Sequence, residues 1–137
     1  MLTDARGVVL GLAIGPANRH DIKLALPTLE NIAVHRPQPR RYHRQHLCAD
    51  KAYDSEEFVR TLKRRHYIPH IKSRGQEESE RRHRHAKPRR WVNERTQSWL
   101  NKFHRLMIRW EKKSDNYLAE LMFAAAWVAF RSAGVLG

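Results

Sequence analysis

Two acidic residues sit where basic ones dominate. They are Asp50, in LCADKAYDS, and Glu94, in RRWVNERTQSWLNKFHRLMIRW. Glu94 is the only acid between Glu80 and Glu111. A carboxylate so placed is either a solvated ion-pair partner or a metal ligand held next to phosphate, and for a lone Glu on a basic helix the first role is the commoner. A second acid at a strand end shifts that balance. Hard cations such as Mg²⁺ take oxygen ligands, and two of them roughly 3.5–4 Å apart can clamp the attacking and leaving oxygens of a phosphodiester displacement. Basic residues around such a site hold a nucleic-acid backbone without reading its sequence. Spacing alone is a weak signal, because Asp and Glu are common.

Composition supports a polyanion partner. The chain has 137 residues and a net charge of +13, enough for one domain or part of one. The charge is unevenly placed: His35 to Lys113 carries 23 Lys and Arg against 9 Asp and Glu, so the whole surplus lies there. Nucleic acid fits better than membrane, since no apolar run reaches the ~20 residues a spanning helix needs. Arginine outnumbers lysine, which suits bidentate phosphate contacts. Cys48 is the single cysteine, so no intrachain disulfide or Cys-rich zinc site forms. The start MLTDARG lacks the basic and apolar regions of a signal peptide, and a reducing cytoplasm fits. His83 and His85, in RRHRHAK, read as phosphate-facing or solvated rather than as metal ligands.

The elements follow from local pattern. Leu2 to Gly7 reads as the end of a strand and a turn, and Val8 to Ile14 as a buried strand. The chain thus opens inside a hairpin, which leads us to expect further residues upstream. Asp21 is placed to cap a helix from about Ile22 to Ile32, with Pro27 an awkward interior residue. His46 to Ala49 is a short strand that delivers Asp50 at its end. Asp54 or Ser55 caps a helix from Glu56 to Arg65, with Phe58 and Leu62 facing inward. Tyr67 to Ile71 is a strand that Pro69 pushes toward a sheet edge. Arg74 to Pro88 is a charged loop. Arg89 to Trp110 reads as one long helix with Val92, Trp99, Phe103, Leu106 and Trp110 on a packing face, and Glu94, Ser98, Asn101 and Arg105 on another. Lys112 to Asn116 is a turn, and Tyr117 to Arg131 a buried helix apolar almost all round. The order is that of an α/β protein with a mostly parallel second half.

Here the residues carry a family resemblance. Asp50-Lys51-Ala52-Tyr53-Asp54 resembles the DKGYD motif of bacterial insertion-sequence transposases of the DDE superfamily. The stretch from Arg90-Trp91-Val92-Asn93-Glu94-Arg95-Thr96 through Trp99-Leu100-Asn101 to Arg109-Trp110-Glu111-Lys112 is similar to that family's RWVVERT…WLNRFRRL…RYEK segment. Leu2-Thr3-Asp4-Ala5-Arg6-Gly7 and Ala17-Asn18-Arg19-His20-Asp21 resemble its LTDARG and ANxHD stretches. The likeness is strongest to the fifth family of insertion sequences and covers nearly the whole chain in order.

The resemblance implies an RNase H-like, retroviral-integrase-like α/β fold, N-terminally truncated, with a mixed sheet and flanking helices. It makes residues 1–137 the C-terminal part of a single catalytic domain. It also implies cleavage and joining of DNA ends with two Mg²⁺ or Mn²⁺ ions. Asp50 matches the second catalytic Asp and Glu94 the catalytic Glu, both as metal ligands. Arg90, Arg95, Asn101 and Lys102 match positions that contact the transposon end, with Lys51, Arg89 and Arg105 as further DNA-facing candidates. Implied partners are transposon ends, target DNA, and an upstream transposase segment or further copies of the chain, in a bacterial cytoplasm near the nucleoid. Two departures matter. Ala52 replaces the usual Gly, tolerable unless φ must be positive there. The family's first catalytic Asp has no counterpart, since Asp4 and Asp21 belong to other motifs. The polypeptide alone is therefore expected to bind DNA without cutting it efficiently. The alternative is a non-catalytic DNA-binding fragment that regulates the full enzyme. A ribosomal-type RNA binder would explain charge and size but not these motifs. By the same reading Trp91 and Trp99 pack, and Cys48 is a small buried residue beside Asp50.

Overall fold

A computed structural model of the chain describes residues 1–16, 18–71, 90–108 and 111–134, with Arg90 and Trp91 described by backbone alone. The chain divides into two compact units: Met1–Val34 with Arg90–Gly137, and His35–Arg89. The charged loop, the His83–His85 pair, Arg89 and Trp110 lie outside the described residues.

In the first unit, strands β1 (Leu2–Thr3) and β2 (Val9–Gly11) pair antiparallel as a short hairpin. The strand expected over Val8 to Ile14 is thus only three residues long. Its connecting turn is held by Asp4. One carboxylate oxygen accepts the backbone N–H of Arg6 at 2.9 Å and of Val8 at 2.8 Å, the Asx-type arrangement that makes Asp a turn residue. Gly7 closes the turn at φ +85°, and a Cβ there would stand 2.9 Å from the Thr96 hydroxyl. Left-handed backbone costs an L-residue roughly 1–2 kcal/mol, and the contact adds strain. Gly7→Ala is expected to lower stability by about 2–3 kcal/mol in urea unfolding.

Helix α1 (Ile22–Glu30) runs unbroken through Pro27. Asp21 stands at its N-cap position but makes no side-chain cap bond, contrary to the sequence reading. Its own dihedrals are helical, φ −56° and ψ −32°, whereas a capping side chain needs an extended residue to reach the following N–H groups. Gly11 lets α1 approach β2, since a Cβ there would meet the Thr28 carbonyl at 2.5 Å.

The long helix expected from Arg89 to Trp110 is broken. Helix α3 spans Arg90–Leu100, and α4 spans His104–Met107. Between them Lys102 N–H bonds Trp99 C=O and Phe103 N–H bonds Leu100 C=O, the tight i→i−3 pattern of a helix end. Phe103 then turns extended, at φ −89° and ψ 92°. Asn101 favours such a turn. The buried seam also differs from the expected packing face: it is Val92, Thr96 and Leu100, one turn apart, with Trp99 and Phe103 only half-buried.

Helix α5 (Ser114–Ser132) starts earlier than expected, with Asp115 in its first turn, where the dipole favours an acid. It packs on α3 and β2 through one face, burying Ala124, Ala125 and Val128. Met122, Phe123, Trp127 and Phe130 are exposed, so this helix is not buried all round. No helix of the described residues is long and apolar enough to cross a membrane.

The second unit is a β–α–β element. Strand β3 (Gln45–Ala49), helix α2 (Glu56–Arg64) and strand β4 (Tyr67–Ile71) follow one another, with β3 and β4 parallel and Gln45 opposite Tyr67. These spans match the sequence reading, and Pro69 lies in a two-stranded sheet where both strands are edges. Phe58 and Leu62 face inward as expected, with Leu62 fully buried. Acids open α2 and Lys63 and Arg64 close it, the order the helix dipole prefers. Arg36 ties the preceding segment to the sheet: its guanidinium donates to the Gln45 side-chain carbonyl and, at 2.7 Å, to the Tyr67 hydroxyl. Among the described residues, then, the chain is a mixed α/β structure with two small sheets rather than one.

His66, between α2 and β4, is the one described non-glycine residue with positive φ, at 62°. His66→Gly removes that strain, and a gain of about 0.5–1 kcal/mol in chemical denaturation is expected.

Candidate functional site

Asp50 follows the last residue of β3 and is exposed. Its backbone is still extended, at φ −75° and ψ 167°. The chain then closes into a 3-10 turn, Lys51–Tyr53. One Asp50 carboxylate oxygen accepts the Ala52 N–H at 2.6 Å and caps that turn. A two-stranded parallel ladder on one side and a capped turn on the other therefore fix where the carboxylate stands. Lys51 is exposed beside it. Ala52 is not among the residues with positive φ, so replacing the family's glycine carries no left-handed strain.

Glu94 is exposed on α3. Among the described residues its carboxylate has no hydrogen bond or ion pair. Its position is set from the opposite side of the helix by Thr96, which is fully buried. The Thr96 hydroxyl donates to Gly7 C=O at 2.7 Å and lies 3.0 Å from Val92 C=O. A buried hydroxyl with its partners met locks a helix rotation. The sequence reading missed Thr96, although its place between Val92 and Leu100 at steps of four was visible. Asn93 adds a second tie, standing 3.2 Å from the Thr3 hydroxyl, which donates to it.

The other site candidates differ in surroundings. The Arg95 guanidinium donates to Arg6 C=O and lies over the Trp99 ring, 4.9 Å from its centroid. Arg105 pairs with Glu120 at 3.2 Å and Glu111 at 3.5 Å. These two arginines thus hold α3 to the Asp4–Gly7 turn and α4 to α5, roles unseen in the sequence. Asn101 and Lys102 are exposed in the turn after α3. Lys102 and Arg131 border a cleft of about 370 Å³ lined by Trp99, Phe103 and Trp127. The side chain of Arg90 and all of Arg89 lie outside the described residues.

Cys48 is exposed rather than buried, because strand alternation turns it away from buried Leu47. Asp50 and Glu94 offer hard oxygen donors of the kind Mg²⁺ and Mn²⁺ take. Among the described residues no group of three or more His, Cys, Asp or Glu is arranged to hold an ion. One Asp4 carboxylate oxygen already holds two backbone amides in the turn.

Comparison with known proteins places these features. Residues 1–129 match the model of the family described as Transposase DDE domain. The chain is also 32% identical, over 96% of its length, to a Burkholderia cepacia protein described as a transposase for insertion sequence element IS402. It spans 62% of that protein's length. No solved structure matches the chain. A family model that takes in both the strand ending at Asp50 and the helix bearing Glu94 is decisive, and the chain belongs to the transposase DDE-domain family.

Proposed function

We propose that this chain works in DNA transposition, as part of an RNase H-like catalytic domain that cleaves and joins the ends of an insertion sequence. Asp50 and Glu94 are the two carboxylates it contributes. The observation that carries this reading is the setting of Asp50. It stands exposed at the end of a parallel strand, its turn capped by its own oxygen, inside the motif Asp50-Lys51-Ala52-Tyr53-Asp54. When bound, Mg²⁺ or Mn²⁺ would stabilise the attacking and leaving oxygens of the phosphodiester. The chain's own residues position that chemistry. Asp50 presents a carboxylate of fixed direction from a strand end, and Glu94 one from a helix locked by Thr96. Lys51 and Lys102 hold DNA phosphates, with Arg89, Arg90, Arg95, Asn101 and Arg105 as further contacts to the DNA ends.

Asp4 is not the third carboxylate on this reading, because it belongs to a different motif and one of its oxygens holds the turn. The remaining ligand comes from another polypeptide segment or from a further copy in an assembly. The test is nicking of an insertion-sequence-end duplex by the full chain in Mg²⁺ or Mn²⁺, with and without a polypeptide supplying the rest of the domain. Cleavage only with the added polypeptide is expected. Cleavage by the chain alone would show that the third ligand lies within it. No cleavage in either case, with salt-sensitive DNA binding retained, would support the second reading, a DNA-binding regulator of the complete enzyme.

A further inference from the structure

The outer face of the β3–β4 ladder carries a pair of histidines that the transposition reading does not use. His46, on β3, and His70, on β4, are both exposed, and their Nδ1 and Nε2 atoms lie 2.7 Å apart. The ring centroids are 5.0 Å apart and the planes differ by 16°. That separation is about the largest two imidazoles can have with nitrogens so close, so the rings meet edge to edge in nearly one plane. Each ring therefore points an in-plane nitrogen straight at the other's, the geometry of an N–H···N hydrogen bond. Alternation puts both on the side away from buried Leu47 and Tyr67, and Cys48, opposite His70 in the register, is exposed there too.

Two exposed imidazoles with nitrogens this close on adjacent strands can reorient into a chelate for a borderline transition ion. Imidazole suits Zn²⁺, Ni²⁺ and Cu²⁺, whereas Mg²⁺ prefers oxygen. Metal–nitrogen bonds of about 2.0–2.1 Å at angles between square and tetrahedral need the nitrogens roughly 2.9–3.4 Å apart. To chelate, the nitrogens must separate by a few tenths of an ångström and each ring must swing by roughly 35–45° so that both lone pairs meet at the ion, and exposed side chains can turn about χ1 and χ2 to do so. We propose that His46 and His70 form a two-histidine site for a divalent transition-metal ion, which ties β3 to β4 on the face that leads to Asp50. The protein supplies two ligands and water the rest, consistent with the absence of a three-ligand cluster among the described residues. This site is chemically separate from the carboxylates and does not depend on the proposed function.

The test is a calorimetric titration of the full chain with Ni²⁺, in a non-chelating buffer with excess Mg²⁺ to occupy oxygen sites. His46→Ala and His70→Ala are each expected to weaken the tightest Ni²⁺ site at least tenfold, while His20→Ala, a control among the nine His, leaves it unchanged. Ni²⁺ should raise the melting temperature of the wild-type chain and of His20→Ala, but not of the two variants. His46→Asn, polar but unable to chelate in this way, serves if His46→Ala does not fold. Unchanged Ni²⁺ affinity in folded His46→Asn or His70→Ala would overturn the proposal and leave a proton-sharing histidine pair.

Discussion

Asp50→Ala or Glu94→Gln is expected to lower metal-dependent strand cleavage by the assembled enzyme at least ~10³-fold, the equivalent of about 4 kcal/mol of transition-state stabilisation. DNA affinity should stay the same or rise slightly. The two effects separate because the carboxylates and the phosphates share a sign. On the proposed function, removing a ligand removes the metal's hold on the reacting oxygens, and removing a negative charge also eases the approach of the DNA backbone. The slope of log affinity against log salt should not change, since no cationic contact is lost. Asp50→Ala also deletes the cap on the 3-10 turn, so Asp50→Asn is the cleaner variant: its side-chain carbonyl can still accept the Ala52 N–H while the charge is gone. Single-turnover cleavage and equilibrium binding measured on the same preparations check the prediction. Cleavage within tenfold of wild type for Asp50→Asn and Glu94→Gln would remove both residues from the chemistry.

Leu62→Ala is expected to cost about 3–5 kcal/mol, the upper range for deleting a fully buried leucine. The reason is the size of the core it leaves. Among the described residues of its own unit the buried apolar ones are Leu47, Phe58, Leu62 and Tyr67, and Leu62 is the one of them with no exposure at all. A domain's whole stability is typically about 5–15 kcal/mol, so this one change removes a large fraction of it. Leu62→Met, of similar volume, should cost under about 1.5 kcal/mol. Hydrogen exchange of the β3 and β4 amides would localise the effect. Fast exchange there in Leu62→Ala, with slow exchange kept in α3 and α5, is the expected pattern; uniform loss of protection would mean that the two units unfold together. Cleavage should fall with the same substitution, because β3 is what aims Asp50.

The β–α–β element was legible in the sequence nearly to the residue. Its signals are local: a short run ending in Ala49, acids then bases along α2, and Phe58 and Leu62 one turn apart. Its two strands are parallel because a helix lies between them. Ala52 was a question that the sequence left open, and the dihedrals of the 3-10 turn answer it. The helix around Glu94 was half legible. Periodicity identifies a helix, but a 3.6-residue repeat does not say where the ladder stops. Nor does it say which of several apolar stripes finds a partner. The real seam runs through a threonine, whose burial is acceptable because Gly7 C=O and Val92 C=O stand within reach of its hydroxyl.

The sequence by itself determined the charge distribution, the β3–α2–β4 element, the motifs around Asp50 and Glu94, and with them the family. These depend on residue type and on neighbours within a few turns of chain. Tertiary structure alone decided the break after Leu100, the burial of Thr96, and the engagement of Arg95 with Arg6 and of Arg105 with Glu120. It alone brought His46 to His70, and it left Phe123 and Trp127 in solvent on a helix that reads as core. Each of these turns on a partner distant in the chain or facing from another element. A pattern along one strand or helix shows which groups need a partner, and only the packing of elements shows which partner they meet.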